Sequence, residues 1–274
     1  FADELSRDGI FECLRKRHHY GTTGNRLHLT VDVNLTGGGD LFDLDPRAFD
    51  EAVSTRVNRV MMGDIVQTND KKISLEVKAI AGSPIERIEI RNGTEVLETV
   101  RGYTVNDLGC RYRVLWSGAE YRGRGRDTAW QGKASFTGAK IEKMAKINAW
   151  NHERLLEVQG DDCVVWDAIT TGNYGGFDVW LSGDSGSDLA LESNHGTLSV
   201  KLSDLGIDDV VLDCGGLERR IKVLRLPDKN LHMDLNATIE VELNPKGDNP
   251  LWVCVTTEDG FQAWSSPIFV FNEA

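Results

Sequence analysis

The chain has 274 residues, 40% of them hydrophobic, and 31 Lys+Arg against 43 Asp+Glu give a formal net charge of −12. That length and apolar fraction support one large domain or two modest ones with a real core, and they exclude a chain left disordered for want of apolar side chains. The acidic balance disfavours nucleic acid and anionic membranes as partners, because both need clustered cations, and no apolar run approaches the roughly 20 residues that span a bilayer as a helix.

No signal peptide is in view, and the chain begins Phe1-Ala2-Asp3 without a Met, so the expectation is that the natural N-terminus lies upstream. The compartment stays open, with the cytoplasm favoured. The cysteines, Cys13, Cys110, Cys163, Cys214 and Cys254, are odd in number and widely spaced without a Cys-x-x-Cys. This speaks against a disulfide framework and against a cysteine zinc site.

In chain order, the first predicted element is a helix. Ser6 is its cap, Leu5 and Ile10 form a hydrophobic staple, and Ile10, Phe11 and Leu14 share one face. Arg15, Lys16 and Arg17 fall at the C-terminal end, where the helix dipole favours cations. A tight loop, His19–Arg26, leads into a strand over Arg26–Val33, where Leu27, Leu29, Val31 and Val33 alternate with polar residues. Gly37-Gly38-Gly39 is expected to break it. Asp40–Val60 reads as an acidic linker or covering excursion, weakly helical around Pro46–Val53.

Alternation then persists. Strands are predicted around Ile73–Ala79 and at Ile88 and Ile90, the latter turning at Asn92-Gly93 into a return over Thr94–Val100. Further strands are predicted around Tyr112–Trp116, Ser135–Ile141, Cys163–Ile169, Phe177–Leu181, Thr197–Leu202, Ile221–Leu226, Ala237–Leu243, Leu251–Thr256 and Ile268–Phe271, with a turn at Asp259-Gly260. Many short strands and few helices mean antiparallel β. The expected fold is mainly β: an immunoglobulin-like antiparallel β-sandwich with an inserted second β-domain and a short N-terminal helix.

The chemistry-bearing motifs are sparse. The six His include no His-x-His pair, and His18 and His19 are adjacent, pointing about 100° apart on a helix end. Glu192–Gly196 reads as a turn. Asp40, Asp43 and Asp45 follow the triple glycine without EF-hand spacing and read as a solvated acidic loop rather than a Ca²⁺ site. Gly183–Asp188 reads as a hairpin loop, and no Gly-x-Ser-x-Gly elbow is present. Trp116, Trp252 and Trp264 fall in predicted strands, where aromatic side chains pack well.

Two stretches stand out. Arg122-Gly123-Arg124-Gly125-Arg126 follows Tyr121 and forms a flexible cationic spot in an acidic chain. It is either an anion contact through Arg122, Arg124 and Arg126 or a solvated loop whose arginines pair with local carboxylates. The loop His19-Tyr20-Gly21-Thr22-Thr23-Gly24-Asn25-Arg26 is, by itself, only a helix-to-strand connection with exposed hydroxyls and amides.

Taken together, Ser6–Arg26, Pro84–Gly93, Trp116–Arg126 and Thr256–Ile268 with its Ala263-Trp264-Ser265-Ser266-Pro267-Ile268 ending resemble the C-terminal region of a bacterial family of PHP-type metallohydrolases, the polymerase and histidinol phosphatase superfamily. The resemblance spans nearly the whole chain. It implies that the family's metal ligands, in His-x-His and Asp-x-His motifs, lie upstream of Phe1. It therefore implies no cofactor and no catalytic residue in this chain, a divalent metal in the upstream domain, and an upstream catalytic domain of the same polypeptide as partner. By the same analogy Tyr20, Thr22, Thr23 and Arg26 would line the rim of the parent's active site.

The implied organisation is a closing helix and strand of the catalytic domain at 1–35, a linker at 36–59, a β-sandwich from 60–118 with 231–274, and an inserted β-domain at 119–230. The function so implied is a non-catalytic accessory β-region of a phosphoesterase-like metal-dependent hydrolase. The alternatives are a carbohydrate- or polymer-binding β-sandwich module and an oligomerisation module, and a homo-oligomer stays open under each.

Overall fold

The computed structural model describes residues 1–123, 125–149 and 151–272. The chain is mainly β, of the β-sandwich type, with two sheets and one short α-helix near the N-terminus. It divides into two compact units, residues 1–102 with 231–274, and residues 103–230.

The first unit opens with helix α1 (Arg7–Arg15) and strands β1 (Tyr20–Thr22), β2 (Leu27–Phe42), β3 (Ser54–Met61), β4 (Ile65–Gln67), β5 (Lys72–Ala81), β6 (Ile85–Asn92) and β7 (Glu95–Val100). The second unit holds β8 (Arg111–Ala119), β9 (Thr128–Ile147), β10 (Leu156–Gln159), β11 (Cys163–Thr170), β12 (Tyr174–Ser193), β13 (Gly196–Lys201), β14 (Val210–Asp213) and β15 (Leu217–Leu226). The chain then returns to the first unit with β16 (Asp234–Glu242), β17 (Asp248–Thr257), β18 (Gln262–Ser265) and β19 (Ile268–Phe271).

The first sheet runs β1-β18-β17-β19-β4-β2-β5-β16, with β3 on β2 and the β6–β7 hairpin on β17. Its pairs are antiparallel except β19 with β4. Inward residues of β2 and β5 (Leu29, Val31, Leu75, Val77) and of β6 and β17 (Ile88, Ile90, Val253, Val255) belong to one core, so the sheet's two arms enclose a single apolar interior. This is the burial that alternating strands demand. The segment 1–35 does not stand apart from it, because β2 lies between β4 and β5. The stretch expected to be a linker, 36–59, carries the end of β2 and most of β3.

The triple glycine does not break β2. The register of β2 against β3 jumps between Asn34 and Gly39, and Gly38 sits at φ 73°. Glycine supplies the left-handed residue of a bulge, and the ladder resumes beyond it. Pro46–Val53 forms turns rather than helix, and the Asp43 carboxylate closes the loop by accepting from the amides of Leu44 and Val53 (2.8 and 2.9 Å). The β6–β7 hairpin pairs Asn92 with Glu95, so the two loop residues are Gly93 and Thr94 rather than Asn92 and Gly93. Asn92 stays in the strand because its amide donates to Asn249 Oδ1 at 3.0 Å.

The second sheet runs β10-β11-β9-β12-β8-β15-β14, with β13 on β12. β9 and β12 pair along most of their length, and the polar stretch Gly183–Asp188 is no hairpin loop. Pairing skips from Gly183 to Asp188 and then continues, so a bulge absorbs the extra residues without ending the strand. Trp116, Trp130, Trp166, Phe136 and Phe177 fill this unit's core. No helix among the described residues is long and apolar enough to cross a membrane.

Helix α1 is held at its ends. The Ser6 hydroxyl accepts from Gly9 N at 3.0 Å. At the other end His18 N donates to Cys13 O (2.9 Å) and Arg17 N to Leu14 O (3.1 Å), with Arg17 at φ 60°. This is a Schellman closure in which arginine occupies the left-handed position usually given to glycine. Arg17 Nε donates to Gly63 O (2.9 Å) and His18 Nε2 lies 2.7 Å from Asp64 Oδ1, so the strained turn is bolted to the turn after β3.

Gly63, at φ 100°, makes the bolt possible, because a Cβ there would lie 2.5 Å from the Arg17 carbonyl. Gly63→Ala is therefore expected to cost about 1–3 kcal/mol and to release α1. Amide exchange over residues 7–15 should rise toward the rate of an unstructured peptide, since a helix this short is marginal alone. Unchanged exchange there would refute the bolt.

Candidate functional site

The helix-to-strand loop places its residues in different roles. β1 pairs with β18, setting Tyr20 opposite Ser265 and Thr22 opposite Ala263. Tyr20 packs on the first core, and its hydroxyl donates to Leu27 O at 2.7 Å. The Thr23 hydroxyl accepts from Gln262 N at 2.9 Å and thus extends the β1–β18 ladder. The Thr22 and Arg26 side chains are exposed and make no hydrogen bond or ion pair among the described residues.

Tyr20, Thr22 and Arg26 line one open depression of about 820 Å³, together with Asn25, His28 and Ile80. Thr23 is not among its lining residues. Its floor is the end of the β2–β5 ladder, where His28 pairs with Ile80 and Leu27 with Ala81. Asn25 fixes the loop above it by donating to Ser83 Oγ at 2.8 Å.

Two of these residues escaped the sequence reading. His28 is the outward partner of Leu27 and Leu29, and such a position reads as solvent-facing. Ile80 carried the better signal. With Ile73, Leu75, Val77 and Ala79 inward, period two puts Ile80 outward, where it is 56% exposed.

The arginine loop joins β8 to β9 in the second unit. Arg126 Nε donates to Thr171 O (2.7 Å), and Tyr121 OH donates to Gly125 O (2.6 Å). Arg122 is exposed and makes no hydrogen bond or ion pair among the described residues, while Arg124 lies outside the described residues. The two arginine-bearing stretches thus belong to separate units.

The other motifs are absorbed structurally. His195 sits at the β12–β13 turn with Nε2 2.8 Å from Ala129 O and its ring edge-on to Trp130. Asp40 faces Arg56 at 3.5 Å. Among the described residues no group of three or more His, Cys, Asp or Glu could hold a metal ion. Trp116, Trp130 and Trp166 are buried, whereas Trp264 is partly exposed opposite Gly21.

The thiols divide by environment. Burial pushes Cys254 up from 9.0 to about 12, with the Glu89 carboxylate adding to the effect. Burial also raises Cys214, whereas Cys110 is exposed. A disulfide reagent at mildly alkaline pH should therefore label Cys110 in the folded protein, and label Cys254 only on unfolding. The stability tied to a neutral Cys254 is complete below 9.0, its unfolded value, and is lost as pH rises toward about 12. The denaturation midpoint of the first unit should fall across that window, and labelling of Cys254 as fast as Cys110 would contradict the assignment.

Comparison with protein-family models, with curated proteins and with solved structures gave no match to this chain.

Proposed function

We propose that this chain is the non-catalytic C-terminal accessory β-region of a PHP-type metal-dependent hydrolase of the phosphoesterase kind, packing on an upstream catalytic domain and shaping access to it. The observation that carries the reading is helix α1. None of its residues is buried, and Leu5, Ile10, Phe11 and Leu14 are 96%, 45%, 58% and 53% exposed. The expected staple of Leu5 on Ile10 is therefore not made. The helix is capped at both ends and bolted to the sheet, yet among the described residues its apolar face is left largely exposed. An apolar helix face left bare marks a contact surface.

The size of that face supports a tethered partner. A stable free interface buries about 800 Å² on each side through some 20–30 residues, and three side chains on one short helix with Leu5 just before its cap fall well short. Such a patch closes when its partner is held at high effective concentration by the same polypeptide. The divalent metal and the reacting groups belong, in this reading, to that upstream domain.

The test compares this chain with the longer polypeptide for bound divalent metal, turnover of phosphate esters and amide exchange in α1. Metal and turnover are expected only in the longer polypeptide, together with slowed exchange over residues 7–15. Stoichiometric metal with turnover in this chain alone, or α1 exchange identical in both, would overturn the reading.

A further inference from the structure

We infer that the depression beside β1 is an oxyanion-binding site for a small organic anion, with Arg26 as its cation, the Thr22 hydroxyl as a second donor and Ile80 as the seat for the ligand's apolar part. The inference rests on the accessory-region reading only for what is done to the ligand afterwards; binding is a property of this chain.

Charge makes the depression unusual. The chain carries 43 acidic residues against 31 basic ones, yet Arg26 lines this depression and no Asp or Glu does. Four arginines of the same unit face carboxylates, Arg47 with Asp248 (2.6 Å), Arg56 with Asp40 (3.5 Å), Arg59 with Asp32 (3.2 Å) and Arg91 with Glu89, while Arg17 is spent on backbone carbonyls and Arg15 lies over the Phe11 ring. Arg26 has no such partner among the described residues. A planar guanidinium without a carboxylate is suited to two parallel hydrogen bonds to a carboxylate or phosphate.

Shape and polarity agree with this. The depression is floored by a regular ladder, so its base is rigid. Ile80, outward and more than half exposed, offers apolar surface beside the cation. The Asn25 amide is already committed to Ser83 Oγ (2.8 Å) and reaches the Asp259 carboxylate, itself outside the lining, at 3.5 Å. Sites for small ligands combine apolar surface with a few polar groups that fix orientation, and this open depression, about as polar as it is apolar, offers both. A small anion with an apolar substituent, such as an aryl or alkyl phosphate or carboxylate, satisfies both parts, and inorganic phosphate satisfies one.

The experiment uses amide chemical shifts of the whole chain titrated with phenyl phosphate, benzoate, inorganic phosphate and benzyl alcohol. Phenyl phosphate or benzoate should shift the amides of residues 22–28 and 80–82 saturably and should bind more tightly than inorganic phosphate, while benzyl alcohol should not saturate. Arg26→Gln should weaken binding at least about tenfold, with Arg26→Lys intermediate because it keeps the charge and loses the fork. Ile80→Ser should narrow the gap between phenyl phosphate and inorganic phosphate.

The spectrum of Arg26→Gln outside the depression should match the parent, since the residue is exposed. No saturable response at these amides, or an equal response in Arg26→Gln, would sink the inference. That failure is distinct from failure of the accessory-region reading, which shows as metal and turnover in this chain alone.

Discussion

Asp178→Ala is expected to destabilise the second unit by about 3–5 kcal/mol, read as a shift in its urea transition by tryptophan fluorescence. Asp178 on β12 stands directly opposite Arg113 on β8. Arg113 donates through Nε to Oδ1 at 2.7 Å and through Nη2 to Oδ2 at 3.0 Å, a two-pronged grip on the carboxylate. Arg111, two residues along the same strand face, donates to Oδ2 through Nε at 3.0 Å. The exposures are 0% for Arg113, 2% for Asp178 and 5% for Arg111, so solvent does not screen the cluster.

Asp178→Ala removes the carboxylate that both arginines grip through these bonds, at a place that solvent does not screen. Breaking a buried ion pair by removing one partner is among the costliest single changes a fold meets. Asp178→Asn keeps the shape and one acceptor oxygen, and should lie between the parent and the alanine variant. A loss below about 1 kcal/mol for Asp178→Ala, the range of an exposed pair, would show that the cluster contributes little.

Trp116→Ala carries the second large effect, about 3–5 kcal/mol for truncating a buried tryptophan. Its ring stacks on Trp166 with centroids 5.2 Å apart and planes 13° from parallel, and it also tilts against Phe177 at 6.2 Å. β8 and β11 are not neighbours in the sheet, so this stack holds strands that backbone hydrogen bonds do not join. The Trp116 indole N–H, however, is buried without an acceptor among the described residues. Trp116→Phe deletes that donor and keeps an aromatic ring, so it should cost less than about 2 kcal/mol. The alanine variant should also lose the near-ultraviolet circular dichroism of the stacked pair. Equal costs for Phe and Ala would refute the part assigned to the aromatic ring in this core.

The inward residues of β2, β5, β6 and β17 were legible because alternation with period two marks a strand's buried face. The Ser6 cap was legible because a short hydroxyl before a helix has one productive use. The closure of α1 was not, because Arg17 stands where a glycine would have announced it. What holds Arg17 in the left-handed region is Gly63, remote in sequence. The continuity of β2 through Gly37–Gly39, and of β12 through Gly183–Asp188, was hidden for a related reason. Glycine and small polar residues signal a break locally, and only a partner strand that resumes pairing turns the break into a bulge.

The candidate site was partly legible in the same sense. Tyr20, Thr22 and Arg26 were named through the resemblance, while His28 and Ile80 joined them only through the β2–β5 register, which no single strand encodes. Arg111, Arg113 and Asp178 read as the solvent side of alternating strands, yet they are buried.

The sequence by itself determined the class, mainly β with one short helix, because side-chain alternation and turn residues act over a few positions. It also determined the acidic surface and an amphipathic first helix. Tertiary structure alone decided which outward residues meet, that the apolar face of α1 stays bare, and that Arg26 overlooks a depression lined by no carboxylate. Those outcomes depend on pairing between residues far apart in the chain, and pairing energy is shared across both strands rather than written in either one.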